Sequence, residues 1–313
     1  MSSVFVFPGQ GSQSIGMLSD MGEYAAIVQE TFEEAADALG YDLWNIVANG
    51  PESQLNQTHI TQPAMLAAGV ALWRVWQSLS LPQPTAMAGH SLGEYTALVC
   101  SEAFSYTDAL RVVSERGKLM QAAVPAGEGA MAAILGLEDE NVIAVCDEAA
   151  QGEIVEAVNF NSPGQVVIAG NASAVDRSIT LAQEKGAKRA LKLAVSVPSH
   201  CALMKDAAES LRNVLNDVVI NAPNVPVIHN VDVDTHEGSG AIRDILAQQL
   251  HQPVRWVEVV QRLNRDYSPD LLIECGPGKV LAGLSKRIDR RLAALPLFSG
   301  ASIEKAAAAV NAE

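Results

Sequence analysis

Apolar residues fall into short blocks separated by polar, glycine-rich and proline-rich punctuation. Val4-Phe-Val-Phe7 is stopped by Pro8-Gly9, which predicts a buried strand and then a tight loop. A helix is expected from about Asp20 to Leu39. Met65, Ala68, Leu72, Val75 and Leu79 recur at steps of three and four, the pattern of an amphipathic helix over residues 62–80. Pro82 and Pro84 end it. Ala86-Met-Ala88 reads as a short buried strand and Leu92–Val99 as a helix. Strand, glycine-containing turn and helix form the repeating unit of a parallel α/β sheet.

The pattern changes near Val124-Pro-Ala-Gly127. Strands are predicted at Met131–Leu137, Ile154–Phe160, Val166–Ala169 and Arg189–Val197. Helices are predicted at Asp139–Ala149 and Ala174–Lys185, with a turn at Asn161-Ser-Pro-Gly164. The resulting βαββαβ order is that of a ferredoxin-like unit. Pro198 marks the return to the main body, followed by a helix from about Ala202 to Leu215. A strand at Leu271–Glu274 and a turn at Gly276-Pro-Gly278 come later, and the Ala306–Ala309 stretch reads as a short terminal helix. The expected fold is α/β. One discontinuous parallel-sheet domain spans residues 1–125 and 197–313, and a ferredoxin-like subdomain is inserted at residues 126–196.

Composition narrows the function. With 313 residues and 49% hydrophobic positions the chain can bury a large core, so disorder is not expected. A formal net charge of −15 disfavours non-specific nucleic-acid binding and anionic membrane surfaces, both of which depend on cationic neutralisation. No segment reads as membrane-spanning or as a signal peptide, so a cytoplasmic location is expected. Cys100, Cys146, Cys201 and Cys275 are scattered without a CxxC pair, which suggests neither a zinc site nor a disulfide framework.

The densest chemical signal is Gly89-His-Ser-Leu-Gly93, a G-x-S-x-G placed between a predicted strand and a predicted helix. A serine on such a turn projects its hydroxyl outward, and flanking glycines let the chain bend without a Cβ clash. The helix behind it offers free N–H groups to a developing oxyanion. Ser91 is therefore the candidate nucleophile, and it needs a base. His90 lies on the turn itself and is expected to be structural. His59 and His236 fall in polar stretches and are expected to be exposed loop residues. His229 follows Val225-Pro-Val-Ile228 and suits a strand end near a site. His200, in Val197-Pro-Ser-His200, lies where the chain re-enters the main domain, a common place for site residues. His200 leads His229 on that ground. Asp176 and other carboxylates lack a distinguishing context, although a backbone carbonyl can orient an imidazole instead. Arg116, taken alone, reads as a solvated helix arginine. Cys201 reads as a small residue opening a helix rather than a thiol nucleophile.

Six motifs occur in order: Phe7-Pro-Gly-Gln-Gly-Ser-Gln13, Thr61-Gln-Pro-Ala64, Gly89-His-Ser-Leu-Gly-Glu94, Arg116-Gly117 with Met120-Gln121, Val197-Pro-Ser-His200 and Glu274-Cys-Gly-Pro-Gly278. Together they resemble the malonyl-CoA:acyl carrier protein transacylase family of bacterial type II fatty acid synthesis. Acyltransferase domains of polyketide synthases share the order. The resemblance implies an α/β-hydrolase-like core with a ferredoxin-like insert. It implies Ser91 as the acylated nucleophile and His200 as base and then acid. The Gln249 backbone carbonyl would orient His200, and the amides of Gln10 and Leu92 would form the oxyanion hole. Arg116 would pair with the malonyl carboxylate. The implied partners are malonyl-CoA as substrate and holo acyl carrier protein as acceptor, with no cofactor, no metal, no nucleic acid and no membrane, and with the chain acting as a monomer. Rival expectations are a serine esterase or thioesterase, a transferase of a polyketide or decarboxylase system, and a non-catalytic binding module.

Carrier proteins are acidic, so a chain at −15 needs a local basic patch for docking. The candidates are Lys185, Lys188, Arg189 and Lys192, or Lys279, Lys286, Arg287, Arg290 and Arg291.

Overall fold

The computed structural model describes residues 1–195 and 197–311. In chain order the strands are β1 (Ser3–Phe7), β2 (Ala86–Gly89), β3 (Gly129–Leu135), β4 (Val155–Ser162), β5 (Gln165–Asn171), β6 (Arg189–Lys192), β7 (Val227–Ile228), β8 (Leu271–Cys275) and β9 (Ala294–Leu297). They form two sheets.

The first sheet has the order β7-β2-β1-β8-β9, and every pairing in it is parallel. Parallel strands are covered by helices on both faces, which is why β1 and β8 are buried at every position. Alternation along β1 divides the core. Phe5 and Phe7 face a cluster built on the helices Ala25–Leu39, Thr58–Ser78 and Tyr106–Ala123. Val4 and Val6 face a smaller cluster with Trp256, Val259 and Leu263 from the helix Trp256–Tyr267. Registers Phe7↔Gly89 and Val6↔Glu274 bring the carboxyl ends of β1, β2 and β8 to one edge. In open α/β sheets the loops at that edge carry the site.

The helix expected at residues 62–80 runs instead from Thr58 to Ser78 and is buried on nearly every side, not amphipathic. It packs against the helices on either side as well as beneath the sheet, so its polar positions face protein rather than water. The helix expected from Asp20 begins at Ala25, after a short 3-10 turn over Gly22–Tyr24. Gly40, at φ 78°, closes it in the left-handed conformation that suits a glycine cap.

The second sheet has the antiparallel order β4-β5-β3-β6. Its helices, Asp139–Ala150 and Ala172–Glu184, pack on one face around Ile134, Val166 and Ile168. The connectivity β3-helix-β4-β5-helix-β6 gives the ferredoxin-like arrangement. The other face, through Met131, Val158 and Val167, packs on Cys201 of the main body. The expected strand Arg189–Val197 pairs only over Arg189–Lys192. Val195 and Val197 leave the sheet to line a cavity, and Ser196 lies outside the described residues. Backbone bonds from the Val254 amide to the Val158 carbonyl (2.8 Å) and from the Phe160 amide to the Val254 carbonyl (3.0 Å) join the two sheets' surroundings.

Candidate active site

The loop after β2 concentrates the chemistry. Ser91 sits at φ 52°, ψ −109°, between Gly89 and the helix Leu92–Cys100. A Cβ on Gly93 would lie 2.0 Å from the Phe7 carbonyl oxygen, and one on Gly89 would lie 1.9 Å from the Gly93 carbonyl carbon. Only glycine lets the helix start so close to the ends of β1 and β2. The strained serine is held from outside: its amide donates to Asn230 Oδ1 at 2.7 Å.

Ser91 Oγ lies 2.8 Å from His200 Nε2. His200 is itself at φ 68°, and its amide donates to the Leu250 carbonyl at 2.8 Å. Its Nδ1 lies 2.6 Å from the Gln249 carbonyl oxygen. A carbonyl only accepts, so Nδ1 carries the ring proton and Nε2 turns its lone pair to the serine hydroxyl. Burial pushes the His200 pKa down to about 3, the neighbouring Arg116 charge adds to the shift, and the Gln249 carbonyl opposes it. The ring is neutral at neutral pH and stands ready to take a proton.

Arg116 is 1% exposed, which overturns its reading as a solvated arginine. The helix Tyr106–Ala123 turns it inward, where Nη1 donates to Gln62 Oε1 at 2.8 Å and Nη2 to Gln249 Oε1 at 2.9 Å. Nη2 also reaches Ser91 Oγ at 3.2 Å. The serine oxygen thus accepts from the arginine, which leaves its own proton for His200. Burial lowers the Arg116 pKa from its ordinary value, against the pull of Tyr95 and Glu94. A guanidinium starts so high that it stays cationic.

Gln10, Ser91, Leu92, Arg116 and His200 line one cavity of about 120 Å³. The rest of its wall is mainly apolar, from Met120, Met131, Val167, Leu193, Val195 and Val197, with His90, Asn159 and Ser199 adding polar groups. Among the described residues neither the Gln10 amide nor the Leu92 amide has a hydrogen-bond partner. The cavity therefore combines a hydroxyl beside a neutral imidazole, two open N–H groups and a buried cation.

The other candidates are placed elsewhere. His229 is fully buried, with Nδ1 2.7 Å from Glu94 Oε1, and does not contact Ser91. His59 is half-buried inside the helix Thr58–Ser78, not in an exposed loop, with Nδ1 3.3 Å from Gln121 Oε1. His236 is in a loop but half-buried beside Asp232. His90 turns away from the serine to Asn161 Oδ1 at 2.8 Å, bridging to the second sheet. Asp176 is an exposed partner of Lys192. The Cys201 thiol is fully buried and donates to the Pro198 carbonyl, and burial pushes its pKa up to about 12, the opposite of a nucleophile. Sequence reasoning missed the side chains of Gln62, Glu94, Asn230 and Gln249. Gln62 and Glu94 stand inside quoted motifs, and Asn230 directly follows His229.

Among the described residues no group of three or more His, Cys, Asp or Glu could hold a metal ion, and no helix is long and apolar enough to cross a membrane.

Residues 4–291 match the acyl transferase domain family, and the chain belongs to it. Within that family it is similar to a malonyl CoA-acyl carrier protein transacylase of Haemophilus influenzae, 56% identical over 95% of each chain. Solved structures agree. The malonyl CoA-acyl carrier protein transacylase of Coxiella burnetii superposes with a TM-score of 0.97 at 48% identity, covering 100% of this chain and 98% of that one. A malonyl-transacylase in complex with a type II polyketide acyl-carrier protein gives 0.97 at 52% identity, covering 99% and 100%.

Proposed function

We propose that this chain transfers the malonyl group from malonyl-CoA to the phosphopantetheine thiol of a holo acyl carrier protein, supplying extender units for fatty acid synthesis. The single observation that carries the reading is the meeting of two contacts on Ser91 Oγ: His200 Nε2 at 2.8 Å and Arg116 Nη2 at 3.2 Å. The first supplies a nucleophile. The second places a buried cation where a carboxylate on the acyl group would arrive.

His200 Nε2 takes the hydroxyl proton as Ser91 Oγ attacks the thioester carbonyl. The tetrahedral oxyanion accepts from the Gln10 and Leu92 amides, and losing one such donor costs about 3 kcal/mol in sites of this kind. The carbon–sulfur bond breaks, and the CoA sulfur leaves with the proton held on His200. In the second half the carrier thiol gives its proton to His200 and attacks the malonyl-serine ester. Ser91 then recovers its proton from His200. The Gln249 carbonyl steadies the transient imidazolium, a task that a carboxylate performs in other triads. The malonyl carboxylate replaces Ser91 Oγ on Arg116 Nη2, a charge-assisted contact with a buried guanidinium.

The carrier is acidic and so is this chain, so a local basic patch does the docking. Lys188, Arg189, Lys279, Lys286, Arg287 and Arg290 are exposed. Lys185, Lys192 and Arg291 are paired with Glu148, Asp176 and Asp289. Residues 126–196 act as an inserted unit that roofs the site on a catalytic domain formed by 1–125 and 197–313. Four free, buried cysteines suit a reducing, cytoplasmic compartment, and the reaction draws on no cofactor.

The test is steady-state transfer with both substrates varied. Parallel double-reciprocal lines, with no turnover of malonyl-CoA when the carrier is withheld, are expected for a covalent shuttle. Steady hydrolysis without acceptor would make the chain a thioesterase.

A further inference from the structure

Beneath the cavity lies a carboxylate that the steps above do not use. Glu94, in the first turn of the helix Leu92–Cys100, is fully buried. Its Oε1 lies 2.7 Å from His229 Nδ1. Its Oε2 accepts from the Asn230 amide at 2.9 Å and from Gln249 Nε2 at 2.9 Å. A buried carboxyl group is tolerated only with such partners.

The Gln249 contact carries consequences. Gln249 is fully buried, and its Nε2 donates to two acceptors, the Ser91 carbonyl at 3.0 Å and Glu94 Oε2. With both amide protons committed on that side, Oε1 faces the other way and accepts from Arg116 Nη2 at 2.9 Å. Turning the amide over would set oxygen against two acceptors and an NH2 group against a guanidinium. One residue thus holds the imidazole with its backbone carbonyl and the cation with its side chain.

We infer that Glu94 is a positioning residue for acyl-group selection: it fixes the sense of the Gln249 amide, which holds Arg116 at Ser91 to meet a substrate carboxylate. This rests on the reading of Arg116 as the partner of the malonyl group.

The test compares Glu94→Met with Glu94→Gln. Methionine keeps the bulk but removes the acceptor, which frees the amide. Glutamine keeps one carbonyl oxygen for Asn230 and Gln249. Its NH2 group then faces His229, whose Nε2 has no partner among the described residues and so can take the ring proton. Measured with malonyl-CoA and acetyl-CoA, the ratio of kcat/KM values should fall roughly tenfold or more in Glu94→Met. Glu94→Gln should restore most of the ratio. If Glu94→Met lowers both substrates in proportion, its role is only structural and the inference is overturned. Should Glu94→Met fail to fold, Gln249→Met carries the same expectation, since it keeps the backbone carbonyl on His200, and an unchanged ratio there is equally fatal. Arg116→Ala separates the two layers. A selective malonyl loss in Arg116→Ala with an unchanged ratio in Glu94→Met overturns the role of Glu94 alone. Equal losses in Arg116→Ala overturn both readings.

Discussion

Replacing Arg116 by alanine removes a nearly fully buried guanidinium with three contacts: Gln62 Oε1, Gln249 Oε1 and Ser91 Oγ. Two consequences follow, and they differ between substrates. The first is loss of scaffold, because two buried amide oxygens lose their donor. That loss is the same whether the acyl group is malonyl or acetyl. The second is loss of the carboxylate contact, which only malonyl feels. A hydrogen bond to a charged group contributes about 1.5–3 kcal/mol, so the one that Arg116 Nη2 gives the carboxylate is worth roughly ten- to a hundredfold in kcat/KM. Arg116→Ala should therefore lower malonyl kcat/KM by at least about tenfold beyond its effect on acetyl kcat/KM. Arg116→Lys should fall between, since a point charge cannot serve Gln62, Gln249 and substrate together. The assay is transfer to holo carrier protein from each CoA thioester under kcat/KM conditions. Equal losses for malonyl and acetyl would show that the buried cation is scaffold and nothing more.

His200 makes stability depend on pH. Its pKa is about 3 when folded, against an ordinary 6.5. Between those values the unfolded state binds a proton that the folded state refuses, so stability is lost as pH falls from 6.5 toward 3. The loss attributable to His200 is about 2 kcal/mol by about pH 5, and Tm against pH for wild type and His200→Gln should diverge accordingly; parallel curves would refute it. Ser91→Gly should be more stable than Ser91→Ala by about 1 kcal/mol, because only the glycine is at ease at φ 52°. Equal Tm values would mean that the turn is unstrained. Reversing Lys188 and Arg189, or Lys286, Arg287 and Arg290, to glutamate should raise the carrier KM at the docking patch and leave acylation by malonyl-CoA unchanged. A carrier KM that does not move takes that patch out of the account.

Local signals made much of this legible in the sequence. Val4–Phe7, Ala86–Ala88 and Leu271–Glu274 are short apolar runs bounded by glycine or proline, and the structure makes them adjacent parallel strands. The glycines around Ser91 announce a tight turn because close backbone approach tolerates no Cβ. The burial of Arg116 was not legible, since a charged residue on a helix with polar neighbours reads as solvated until the opposing surface is known. Gln62 and Gln249, which make the arginine's pocket, lie 54 and 133 residues away from it. Glu94 was hidden for the same reason, with His229 and Asn230 more than 130 residues distant. The helix Trp256–Tyr267 is legible in the spacing of Trp256, Val259, Val260 and Leu263. By contrast β7, two residues long, has no periodicity to detect, and only its pairing with β2 makes it a strand.

The most direct measurement is the intact mass of the protein after mixing with malonyl-CoA alone, for wild type and Ser91→Ala. The account predicts a malonyl adduct on wild type only, stable in buffer and discharged when holo carrier protein is added. No adduct on wild type, or the same adduct on Ser91→Ala, would contradict it.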